Sequence, residues 1–200
     1  EKITDDMIVM KFGGTSVANF EAITRTIFII GGKLDQKPVV VVSALSKITD
    51  LLYAISDAAL SQDVVATNEH LSQLRKRHVD LTEELLAQSV LKDEAVAKVN
   101  ELCDRLDEIA HAVCSLGELS DKNKAVIISM GEYLSSTIIA YAMNAKGIKT
   151  RWVDSRTMMI TNNSYLKAEP VLDLIAEKTP EVISEASQGM DAVIMQGFVG

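Results

Sequence analysis

Lys11-Phe12-Gly13-Gly14-Thr15-Ser16 brings together the parts that hold a phosphate group. The lysine supplies a compact positive charge, and the two glycines let backbone N–H groups come close to an anion. The segment follows the apolar run 7–12 and precedes a helical pattern, so the glycines fall in a strand-to-helix turn with Thr15 and Ser16 as candidate N-caps. It matches neither Gly-x-x-x-x-Gly-Lys-Ser/Thr nor Gly-x-Gly-x-x-Gly, because the lysine precedes the glycines. Two readings are open on these six residues: a phosphate cradle, or an ordinary turn with a lysine at the strand end.

Three further groups fall at the ends of apparent strands: Ser43-Ala44-Leu45-Ser46-Lys47-Ile48-Thr49, Ser129-Met130-Gly131-Glu132 and Val153-Asp154-Ser155-Arg156. In an α/β sheet such ends gather on one edge, where ligands bind. Each group also has a plain structural reading. Thr49 suits an N-cap, Glu132 suits a helix's first turn through the dipole, and Asp154 with Arg156 suits a surface pair. His78 lies on an apolar helix face and reads as a packed histidine with one nitrogen satisfied. His70 and His111 sit among charges and suggest no chemistry.

These groups need a scaffold, and the hydropathy pattern supplies one. A helix is predicted from about residue 18 to 30, with Ile23, Ile27 and Ile30 on one face and Gly31-Gly32 ending it. Pro38-Val39-Val40-Val41-Val42-Ser43 is a β-branched run without alternation, as in a strand buried on both faces of a parallel sheet. Residues 50–116 show only helical patterning, with a polar break at 61–63. Leu71, Leu74, His78, Leu81 and Leu85 share one face, and Val99, Leu102, Leu106, Ile109, Val113 and Leu116 recur at spacings of three and four. That stripe is too short to argue a coiled coil. After a polar loop at 120–124, residues 125–130 read as a strand or as the first turn of a helix that runs to Ala145. A short strand at 149–154, a helix near 171–186 and a buried strand at 191–200 complete an alternating α/β order.

Composition limits what this scaffold can serve. The chain has 200 residues, 48% of them hydrophobic and 24% charged, enough for a substantial core. Aromatic residues make up only 4%, which disfavours a stacking surface for carbohydrate or single-stranded nucleic acid. The net charge of −8 counts against a polyanion partner but leaves room for a small anion held locally. Cys103 and Cys114 form no Cys-x-x-Cys, and no histidines pair at ligand spacing, so neither a disulfide framework nor a metal site is signalled. The first residues lack the features of a signal peptide, and no apolar stretch approaches the roughly 20 residues of a membrane span. A soluble, cytoplasmic protein is expected, without nucleic-acid or membrane partners.

The signature at 11–18, paired with Ser43-Ala44-x-x-Lys47-Ile48-Thr49-Asp50, resembles the N-terminal part of aspartokinases. Ser129-Met130-Gly131-Glu132, Asp154-Ser155-Arg156, Thr161-Asn162, Ala168-Glu169-Pro170 and Gln196-Gly197-Phe198-Val199-Gly200 follow in the family's order. The resemblance implies the amino-acid kinase fold, a three-layer α/β/α sandwich with a mostly parallel sheet. It also implies transfer of the γ-phosphoryl group of ATP, with Mg²⁺, to the side-chain carboxylate of L-aspartate. That reaction gives 4-phospho-L-aspartate and opens the route to lysine, threonine and methionine. By the same resemblance Lys11 is catalytic, and Lys11, Phe12, Gly13, Gly14, Thr15 and Ser16 bind the nucleotide phosphates. Ser43, Thr49 and Glu132 would hold aspartate, Glu132 at its ammonium group.

Aspartokinases continue into a Gly-Arg-Gly-Gly-Ser-Asp-like segment, the remaining nucleotide contacts and regulatory domains. Residues 1–200 are therefore expected to be the N-terminal part of one kinase domain, with half an active site and little activity alone. The full-length protein is expected to be a homo-oligomer. Competing readings are a relative that phosphorylates glutamate, acetylglutamate or a nucleotide, a ligand-binding module without turnover, and a helical scaffold.

Overall fold

The computed structural model describes residues 7–197 and residue 199. The reading of residues 1–6 as lacking a signal peptide, and the parts of the last motif at Phe198 and Gly200, lie outside the described residues. The elements run β1 (Val9–Phe12), α1 (Phe20–Gly31), β2 (Val39–Val42), α2 (Ile48–Leu60), α3 (Val64–Leu85), α4 (Lys92–Leu116), α5 (Asp121–Ala145), β3 (Thr150–Trp152), α6 (Leu172–Ser187) and β4 (Ala192–Gln196). The strands form one sheet in the order β1-β2-β4-β3, with every neighbouring pair parallel.

Alternation along the strands divides the core into two. Val40, Val42, Ala192 and Ile194 pack with residues of α1 to α5, including Ile23, Ile55, Leu74, Leu106 and Leu134. Val39, Val41, Val193 and Met195 face the other way, against Ile183 and Ala186 of α6 and Met158. The continuous valine run is thus covered on both faces, as a parallel strand requires. The result is the expected three-layer sandwich, with a much thicker helical layer on one face.

α5 departs most from the sequence reading. Residues 120–124 are not a free loop: Ser120 caps the helix, its Oγ accepting from Asn123 N–H at 3.2 Å, and helix follows immediately. Residues 125–130 are neither strand nor first turn but interior helix. α5 also overturns the expectation about apolar stretches, being long and apolar enough to cross a membrane by length and composition alone. However, 83% of its apolar window is buried within the protein, so it is a core helix. At α1, Asn19 is the cap in place of Thr15 or Ser16, its Oδ1 accepting from Ala22 N–H at 2.9 Å. Ser16 serves the loop instead, donating its N–H to Gly13 O at 2.9 Å while its carbonyl accepts from Thr26 Oγ1 at 2.8 Å.

Candidate functional site at the carboxyl edge of the sheet

With all four strands parallel, the loops after β1, β2, β3 and β4 leave from one edge. Lys11, in β1, pairs in register with Val41, and Ser43 N–H donates to Phe12 O at 3.1 Å where the first two loops begin. Lys11 and Thr15 are exposed, and Phe12, Gly13, Gly14 and Ser16 are half-buried. Among the described residues, no acceptor takes the N–H of Gly13, Gly14 or Thr15. A Cβ at Gly13 would meet nothing within 4 Å, whereas one at Gly14 would lie 3.0 Å from Ala44 O and 3.6 Å from Ser46 N. Gly14 therefore lets the first loop press against the second, and Gly13 leaves open space in front of free N–H donors. A lysine beside such donors is chemically fit for a phosphate.

The second loop places Ser43 half-buried and Thr49 exposed, and neither hydroxyl has a partner among the described residues. Thr49 is not the N-cap of α2. That position is Lys47, in the left-handed region at φ 65°, with no side-chain cap bond. Ser129-Met130-Gly131-Glu132 does not end a strand either, lying well inside α5. The first-turn reading of Glu132 falls with it. Its connection to the edge comes through packing: a Cβ at Gly131 would sit 2.8 Å from Ala44 Cβ and 3.1 Å from Ile48 Cγ2. Glu132, 7% exposed, is carried to the second loop by a helix crossing beneath it.

Asp154 and Arg156 are more than a surface pair. Arg156 Nη2 lies 2.6 Å from Asp154 Oδ2, Tyr133 O–H donates to Asp154 Oδ1 at 2.9 Å, and the guanidinium stands 5.2 Å from the centre of the Tyr133 ring. Burial works to raise the Asp154 carboxyl, but hydrogen bonds from Arg156 and Tyr133 outweigh it and hold it below the usual range. Burial, then the bond to Asp154, pushes the Tyr133 phenol well up, so it is a fixed donor. Arg156 is held charged chiefly by its bond to Asp154.

Sequence reasoning missed the polar links that fix α5 to this edge. Ser135 Oγ donates to Ser43 O at 2.8 Å. Ser136 Oγ accepts from Trp152 Nε1 and Gln196 Nε2, both at 2.9 Å, and Ser155 N–H donates to Gln196 Oε1 at 2.9 Å. Three neighbouring residues of one helix, Tyr133, Ser135 and Ser136, thus hold the segments after β3 and β2 and the last residues of β3 and β4. The available signal was a pair of serines in an apolar run, since buried hydroxyls must find partners.

A parallel sheet between helical layers, with a lysine-glycine loop at its carboxyl edge, is the arrangement in which α/β proteins place their ligands. The chain belongs to the amino acid kinase family, which it matches over residues 6–200. Within that family it is similar to the lysine-sensitive aspartokinase 3 of Escherichia coli (strain K12). The two are 28% identical over 198 residues, covering 98% of this chain and 41% of that protein. It is 30% identical over 193 residues to the aspartokinase of Chlamydia pneumoniae, covering 96% of this chain and 39% of that one. Crystal structures of E. coli aspartokinase III share its fold. The complex with lysine and aspartate has a TM-score of 0.86 at 26% identity, covering 96% of this chain and 41% of that chain. The complex with aspartate and ADP gives 0.83 at 28% identity, covering 96% and 40%. The chain spans about 40% of the length of these relatives.

Proposed function

We propose that these residues belong to an aspartate kinase, which transfers the γ-phosphoryl group of ATP to the side-chain carboxylate of L-aspartate. The observation that carries this reading is the packing of the Lys11-to-Ser16 loop against the 43–49 loop, with the N–H groups of Gly13, Gly14 and Thr15 and the hydroxyls of Ser43 and Thr49 without partners among the described residues, and with α5 bringing Glu132 to the same edge. Lys11 and the N–H groups of Gly13, Gly14 and Thr15 are assigned to the phosphate oxygens, where charge builds as the phosphoryl group moves. Glu132 suits the ammonium group of aspartate, and the Ser43 and Thr49 hydroxyls can donate to a carboxylate. Holding two anions in line is most of the catalysis such a transfer needs.

Mg²⁺ supplies charge neutralisation on phosphate oxygens when it arrives with the nucleotide. Among the described residues no group of three or more His, Cys, Asp or Glu is placed to hold a metal. Cys103 and Cys114 are buried free thiols, and burial pushes Cys103 up to about 11, which keeps it an unreactive thiol.

Trapping of acyl phosphate with hydroxylamine tests the acceptor. The assay is run on this chain and on one extended to the length of the relatives, with Mg·ATP and aspartate, glutamate or acetylglutamate. Hydroxamate from aspartate alone, and only with the extended chain, is the expected result. Equal signal from glutamate would replace aspartate kinase with another member of the family.

A further inference from the structure

A buried serine or threonine in a helix can satisfy its hydroxyl on a carbonyl one turn back. Ser56 donates to Leu52 O at 2.9 Å and Thr82 to His78 O at 2.6 Å in this way. Ser135 does otherwise. It is fully buried in α5, and its Oγ lies 2.8 Å from Ser43 O at the end of β2, against 3.2 Å from Glu132 O in its own helix. A hydroxyl has one proton to give, and the shorter bond takes it. Among the described residues no other donor reaches Ser43 O.

This bond joins the two elements that carry the groups assigned to aspartate. Ser43 and Thr49 stand at the two ends of the 43–49 loop, whereas Glu132 belongs to α5. Gly131, Glu132 and Ser135 share one face of that helix, by their spacing. At Gly131 the helix meets the far end of the loop, where an added Cβ would lie 3.1 Å from Ile48 Cγ2, beside Thr49. At Ser135 it meets the near end through the bond to Ser43. Apolar packing at Ile48 is non-directional and fixes no register by itself. The hydrogen bond at Ser43 has a set length and direction, so it decides where the loop stands relative to Glu132.

We infer that Ser135 is a positioning residue for the amino-acid substrate: its bond to Ser43 O fixes the separation between the Glu132 carboxylate and the hydroxyls of the 43–49 loop. This rests on reading Ser43, Thr49 and Glu132 as the groups that hold aspartate. The ammonium group of aspartate takes no part in phosphoryl transfer, so a hold on it counts equally before and during the reaction. Its loss therefore shows in KM for aspartate rather than in kcat.

The test measures KM and kcat for aspartate and for MgATP by hydroxamate formation, together with Tm. It compares the chain extended to the length of its relatives with its Ser135→Ala, Ser135→Thr and Ser56→Ala variants. Ser135→Ala should raise KM for aspartate about tenfold or more, with kcat and the KM for MgATP within about threefold of the parent. Ser135→Thr keeps the hydroxyl and should recover most of that loss. Ser56→Ala removes a buried bond of similar length that stays within one helix. It should lower Tm as Ser135→Ala does, yet leave KM for aspartate within about twofold. If Ser135→Ala does not fold, Ser135→Cys, close in size and a weak donor, is held to the same limits. The inference is overturned if KM for aspartate stays within about twofold in the Ser135 variant, if KM for MgATP rises as much, or if Ser56→Ala raises KM for aspartate equally. A parent that forms no hydroxamate from aspartate would overturn the aspartate kinase reading itself, whereas an active parent with unresponsive variants overturns the positioning role alone.

Discussion

His78 is fully buried in the helical layer, with Nδ1 2.7 Å from Leu74 O and Nε2 without a partner among the described residues. The carbonyl requires the proton on Nδ1, and burial drives the ring's pKa from 6.5 to about 4. Below pH 6.5 the unfolded chain therefore takes up a proton that the fold refuses. This contribution to stability is complete above pH 6.5 and is lost as pH falls towards 4, reaching about 3 kcal/mol. Urea unfolding of the parent and His78→Leu at pH 7 and pH 4.5 should show a gap between them that shifts in the variant's favour by most of that amount. A gap that does not change with pH would contradict the assignment. The reading of His78 as packed with one satisfied nitrogen was available from its place on an apolar face, and so was the placement of Gly13 and Gly14 in a turn after a strand that carries Lys11. The links of Tyr133, Ser135, Ser136 and Trp152 were not legible, because each joins elements distant in sequence and no local pattern records such a bond.

At the scale of elements, Gly131 shows which effect wins. In an exposed helix, Gly→Ala stabilises by roughly 0.5–1 kcal/mol. Here the added Cβ would stand 2.8 Å from Ala44 Cβ and 3.0 Å from Leu52 Cδ1, inside the closest packing between α5 and the second loop. Gly131→Ala should therefore destabilise by about 1–3 kcal/mol, as overpacked core sites do. Chemical denaturation would show this as a lower midpoint, and a higher one would contradict the contact. The same helix explains the principal misreading. Being buried on nearly all sides from Ile127 to Met143, α5 has no polar face to reveal a 3.6-residue period, so residues 125–130 could be read as a strand or as a helix's first turn. α3 and α4 each keep a solvent face and were legible, as was β2 through its β-branched run. The caps misled where a nearby Asn19 or Lys47 took the place expected of Thr15, Ser16 or Thr49.

The whole molecule is a device for bringing sequence-distant loops to one edge. The alternation of strands and helices foretold a parallel sheet, and three of the four groups singled out in the sequence do leave from strand ends. The strand order β1-β2-β4-β3 was beyond local pattern, since it depends on which strands meet after long crossovers. It puts β2, with its 43–49 loop, between β1 and β4, and α5 then brings Glu132 to that loop from within the helical layer. The proposed kinase site depends on Lys11, carried by the edge strand β1 beside the 43–49 loop. The most direct test is ATP- and aspartate-dependent hydroxamate formation by the chain extended to the length of its relatives, compared with its Lys11→Ala variant at equal Tm. Loss of at least a thousandfold in turnover is expected, since Lys11 meets charge that develops during transfer. Turnover within tenfold of the parent would remove Lys11 from the chemistry and leave the glycine loop as an ordinary turn.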